Sequence, residues 1–124
     1  MNVICVDDGR LTLRGLRKTT QRVVPDARVF ACRNIKEAVE TARESGCDVL
    51  LTGIDMGANR NEGIELARRI KEINPRVNII FVTVCAEWEH AREVIQLRPS
   101  GYVRKPYEQE QLAEEFKNLR YAAV

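Results

Sequence analysis

Five short, almost unbroken apolar runs alternate with five segments whose apolar residues recur every three or four positions, and this alternation constrains the fold more than any other feature. The runs are Val3-Ile4-Cys5-Val6, Ala27-Arg28-Val29-Phe30-Ala31, Val49-Leu50-Leu51-Thr52, Val77-Asn78-Ile79-Ile80-Phe81-Val82 and Gly101-Tyr102-Val103-Arg104. Strands apolar on consecutive residues are buried on both faces, as in parallel sheets covered by helices on each side. Helical spacing appears at Leu13, Leu16, Thr20 and Val23, at Ile35, Ala38, Val39 and Ala42, and at Leu66, Ile70 and Ile73. It recurs from about Glu87 to Leu97, with Trp88, Ala91 and Ile95 inward, and at Leu112, Phe116 and Leu119. Successive βαβ units and a parallel sheet follow. The stops agree: Val24-Pro25, Asn74-Pro75 and Arg98-Pro99 end helices because a residue before proline avoids the helical region, and Ser45-Gly46 supplies a C-terminal cap.

At 124 residues the chain is expected to form one domain, residues 1–124, large enough for a core without disulfides or metal staples. Lys and Arg outnumber Asp and Glu only 20 to 18 and read as scattered, so direct nucleic-acid binding is not expected. Cys5, Cys32, Cys47 and Cys85 form no C-x-x-C pair and mostly sit in apolar runs, as packing residues of a reduced cytoplasmic protein. The N-terminus reaches Asp7 and Asp8 after a short apolar run, unlike a signal peptide. No apolar stretch approaches transmembrane length, so no membrane partner is expected.

The chemistry-bearing residues fall where predicted strands end: Asp7 and Asp8 after the first, Gly53 to Asp55 after the third, Thr83 after the fourth and Lys105 after the fifth. Open parallel sheets bind ligands at that edge. Two acids, a hydroxyl and an ammonium gathered there suit a hard divalent cation and a phosphoryl group. Taken singly, each residue has a plainer reading. Asp8 precedes an amphipathic helix and would cap it, Thr83 would bond local backbone, and Lys105 would be a solvated loop charge. His90, the only histidine, reads as a surface residue.

Val-Ile-Cys-Val-Asp7-Asp8, Asp-Val-Leu-Leu-Thr-Gly53-Ile-Asp-Met, Ile-Ile-Phe-Val-Thr83 and Gly-Tyr102-Val-Arg-Lys105-Pro106 together resemble the ordered motif set of response-regulator receiver domains, over essentially the whole chain. The resemblance implies a flavodoxin-like (βα)5 fold of strand order 2-1-3-4-5. It implies a non-enzymatic signalling domain that takes a phosphoryl group from a histidine kinase onto an aspartate ending the third strand. Carried over by position, Asp7 and Asp8 would hold Mg²⁺ with the backbone carbonyl of Asp55. Thr83 would contact the phosphoryl group, Tyr102 would be the switch aromatic, and Lys105 would pair with the acceptor or its phosphate. The fourth helix, fifth strand and fifth helix would form the face that dimerises or docks another signalling protein, and a DNA-binding effector would lie outside this chain.

The departures concentrate at one place. Counted from Asp48, the acceptor position falls on Gly53, which has no carboxylate to attack phosphorus. Gly9, Gly57 and Val84 replace an acid, a proline and a small residue of the family pattern, and Mg²⁺ affinity is expected to be weakened. Lys105 is left to pair with Asp7, Asp8 or Asp55, or to point to water. Counted back from Gly63, Asp55 has the family's acceptor spacing, so a displaced acceptor at Asp55 stands as an alternative. A flavodoxin-like enzyme or cofactor-binding protein is a further alternative, although Asp7-Asp8-Gly9 is acidic where a glycine-rich phosphate loop would be needed.

Overall fold

The computed structural model describes residues 1–56, 62–84 and 91–122, with 120–122 as helix backbone only. Its elements run β1 (Asn2–Val6), α1 (Arg10–Val23), β2 (Arg28–Cys32), α2 (Ile35–Ser45), β3 (Val49–Thr52), α3 (Glu62–Ile73), β4 (Asn78–Thr83), α4 (Ala91–Leu97), β5 (Gly101–Arg104) and α5 (Gln109–Ala122). All strand pairs are parallel and the sheet order is β2-β1-β3-β4-β5, the predicted flavodoxin-like arrangement.

Because successive side chains of a strand point to opposite faces, each apolar run feeds two cores. Val3, Cys5, Leu51, Ile80 and Val82 pack with Leu13, Leu16, Leu112, Phe116 and Leu119 under α1 and α5. Ile4, Val6, Leu50, Ile79 and Phe81 pack with Ala38, Val39, Ile64, Leu66 and Ile70 under α2 and α3. A fully buried Leu, Ile or Phe contributes about 1.5–3 kcal/mol. A helix cap contributes about 1 kcal/mol, so the two-sided sheet dominates stability and the caps set boundaries.

Those boundaries differ from the predicted ones by single residues, for a local reason. The Ala27 amide donates to Val24 O at 3.0 Å and that of Val77 to Asn74 O at 3.0 Å. Both amides are used by the turns that follow α1 and α3, so β2 and β4 each begin one residue later than expected and end at Cys32 and Thr83. Gly46 caps α2 as predicted: its φ of 85° is open to glycine and its amide donates to Ala42 O at 2.8 Å. The expected inward set on α4 needs correction. Ile95 is 71% exposed, and Val94 and Leu97 are the residues that reach the core. Two apolar sets share this short helix, and spacing alone did not separate them. Trp88 and His90 lie outside the described residues.

One charge feature escaped the sequence reading. Arg10, Arg14, Arg17, Lys18 and Arg22 are all exposed on α1, a helix without an acidic residue, so a quarter of the chain's 20 basic side chains stand on one element.

Cys5, Cys32 and Cys47 are free thiols buried in the cores, as their apolar surroundings suggested. Burial pushes Cys5 and Cys47 up to about 12 and raises Cys32 as well. Only the thiolate alkylates readily. Iodoacetamide at pH 8 followed by peptide mapping is therefore expected to leave these three cysteines largely unmodified in the native protein and to modify all of them in urea.

Candidate functional site

The register of the sheet brings the sequence-predicted residues to one edge. Val6 lies opposite Thr52, so Asp7 and Gly53 are the next residues along adjacent strands. Thr83 closes β4 opposite Arg104, and its carbonyl accepts the Lys105 amide at 2.9 Å. Asp7, Gly53 and Thr83 are buried, Lys105 is half-buried, and Asp8 and Asp55 are exposed beyond the strand ends. Tyr102 sits level with Phe81 and packs, half-buried, against the core under α2 and α3. Val84 is 70% exposed beside Thr83. Gly57 and Cys85 lie outside the described residues.

Among the partners open to Lys105, Asp7 is one it meets. Lys105 Nζ donates to Asp7 Oδ2 at 2.5 Å, with side-chain exposures of 20% and 8%. The other oxygen, Asp7 Oδ1, accepts the Gly9 amide at 2.8 Å. A buried charge is costly unless paired and hydrogen-bonded, and Asp7 is both. Gly9, rather than Asp8, occupies the N-cap of α1 and makes no side-chain cap, which corrects the capping reading of Asp8. A Cβ at position 9 would stand 3.3 Å from Asp7 Oδ1 and 3.1 Å from Thr12 Oγ1, so any side chain there would crowd the carboxylate.

Gly53 presents the opposite situation. A Cβ on it would meet Met56 Cγ at 3.5 Å and Val82 O at 3.6 Å, ordinary contact distances, so a β-carbon fits there without a shift. Its carbonyl accepts the Thr52 hydroxyl at 3.0 Å. Gly63, in the first turn of α3, has no such room, because a Cβ there would run into the Gly53 carbonyl group and Ile54 Cα. Its amide donates to Ile54 O at 2.8 Å, seating α3 on the end of β3. Two of these contacts had no sequence signal that spacing could supply: the Gly9 amide on Asp7, and the Thr52 hydroxyl on Gly53.

Receiver-type clefts generally hold Mg²⁺, and the residues present are a poor fit for it. Mg²⁺ demands near-octahedral oxygen donors and gives up water reluctantly. Both oxygens of Asp7 are already engaged, one by an ammonium, and position 53 supplies no carboxylate. Among the described residues no three His, Cys, Asp or Glu side chains are grouped as a metal site. The carbonyl of Asp55 lies 3.9 Å from the place a Cβ on Gly53 would take.

A parallel sheet of order β2-β1-β3-β4-β5 with a paired acid and lysine at its carboxyl edge defines a flavodoxin-like fold. The family model described as the Response regulator receiver domain matches residues 3–117, and the chain belongs to that family. It is a receiver domain of two-component signalling; such domains are generally non-enzymatic. It is 30% identical over 105 residues to the response regulator UvrY of Escherichia coli, covering 85% of this chain and 47% of that protein. The chain thus spans about half the length of this curated relative. Among solved structures, a CheY-like receiver domain protein from Methanospirillum hungatei superposes with a TM-score of 0.86 at 20% identity, covering 98% of this chain and 95% of that one. RcsB from Salmonella enterica serovar Typhimurium, solved on the promoter rprA with phosphomimetic BeF3−, has a TM-score of 0.78 at 27% identity over 97% of this chain and 68% of that one.

The abutment of Gly63 on Gly53 is backbone against Cβ, with no flexible side chain to yield. Gly63→Ala is expected to destabilise the domain by about 3 kcal/mol, the upper range for overpacking, measured by urea unfolding.

Proposed function

We propose that this receiver, a single domain over residues 1–124, passes its signal through protein contact, without phosphoryl transfer at position 53 and without enzymatic activity of its own. The observation that carries the reading is Gly53 itself. It follows β3 directly and stands level with Asp7, where the family pattern has its acceptor, and it brings no nucleophile. Asp7, Asp8, Thr83, Tyr102 and Lys105 keep the framework of the site, with Mg²⁺ affinity weakened by the missing carboxylate.

The proposed partners are a histidine kinase or another signalling protein, met in the cytoplasm, and a second copy of the chain across the α4-β5-α5 face. Exposed Ile95 on α4 and Arg104 on β5 support that face as a contact surface. UvrY is a response regulator of which the match covers 47%, and RcsB was solved on a promoter, which supports a DNA-binding effector outside these 124 residues. The free buried cysteines fit a reducing compartment, and no helix among the described residues is long and apolar enough to cross a membrane.

A second reading keeps Asp55 as a displaced acceptor, favoured by its exposed side chain and its spacing to Gly63. Incubation with acetyl phosphate and Mg²⁺ followed by intact-mass measurement separates the two. No stable adduct is expected; an adduct that vanishes in Asp55→Asn would replace the first reading with the second.

A further inference from the structure

The cleft already contains a cation, and it is part of the chain. Lys105 reaches from the end of β5 to Asp7 at the end of β1, joining residues 98 positions apart in sequence. The carboxylate it meets is almost wholly buried and has its second oxygen on the Gly9 amide. Nothing at position 53 competes for the ammonium, because Gly53 has no side chain. In a cleft with a third carboxylate there, a lysine and a divalent cation can share the anions between them. Here one buried anion faces one ammonium, and a metal ion would have to displace Lys105 to reach Asp7.

From this geometry we infer that Lys105 takes the place of the divalent cation. The Lys105–Asp7 pair neutralises the buried carboxylate, ties β5 to β1 across the carboxyl edge of the sheet, and excludes Mg²⁺ from Asp7. The inference rests on the reading of Gly53 as the acceptor position and goes beyond it. Mg²⁺ is then kept out by an occupant as well as by a missing ligand, and the resting conformation of the domain is independent of the ion.

The test is Mg²⁺ titration of the whole chain at constant ionic strength, read by thermal unfolding. Wild type is expected to show no midpoint shift between 0 and about 10 mM Mg²⁺, a concentration at which a millimolar site would register by mass action. Lys105→Met, which keeps the stem and removes the charge, is expected to bind Mg²⁺ at least about tenfold more tightly than wild type, the scale on which neighbouring groups tune metal sites. Gly53→Asp/Lys105→Met should bind more tightly still. Equal Mg²⁺ affinity in wild type and Lys105→Met would overturn the inference.

A second measurement needs no variant. Trace acetylation of wild-type Lys105 by acetic anhydride, quantified by peptide mapping against the exposed lysines, is expected to be slow and indifferent to Mg²⁺. Labelling accelerated by Mg²⁺ would mean that the ion displaces the lysine, and would overturn the inference. A phosphodonor adduct on Asp55 would overturn the proposed function while leaving these Mg²⁺ results standing, so the two failures are distinguishable.

Discussion

Every central strand of this protein is buried on both faces, and the rest of the structure follows from that constraint. Strands β1, β3 and β4 offer apolar side chains above and below, so each needs helices on two sides. Parallel neighbours require a crossover between strands, and the helices supply the crossovers and the cover together. The parallel geometry gathers the carboxyl ends of β1, β3, β4 and β5 at one edge. The polar side chains of Asp7, Thr83 and Lys105 meet there, beside Gly53, because the core leaves them nowhere else to go.

The parts of the fold legible in the sequence are those governed by periodicity. Continuous apolar runs gave the strands, three-and-four spacing gave α1, α2, α3 and α5, and proline and glycine marked the stops. Legibility failed where one local rule met another. The amides of Ala27 and Val77 belong to turns although their side chains read as strand, and α4 carries two apolar sets of which Val94 and Leu97 are the buried one. The exposed cations of α1 were read as scattered because they are spread along the sequence at intervals that a helix closes into a stripe.

The site was legible as a set of residues but not as a set of bonds. Motif order placed Asp7, Thr83 and Lys105 together, yet three carboxylates stood as candidate partners for the lysine. Burial accounts for the pairing with Asp7. Asp7 is the anion that loses its water, so it is the one that most needs a cation. The Gly9 amide completes its shell from the adjacent turn, a backbone contact that residue identity alone does not encode.

The contact between Gly63 and Gly53 divides position 53 into two parts with separate duties. Its backbone carries architecture, since the carbonyl abuts the first turn of α3 and fixes where that helix starts. Its Cβ direction meets Met56 Cγ and Val82 O at ordinary contact distances, so a β-carbon fits there without moving its neighbours. A β-carbon can therefore be added at this position without moving α3, whereas the backbone has no such latitude. The side chain at position 53 is thus open to change while the backbone beneath it is held by the seat of α3.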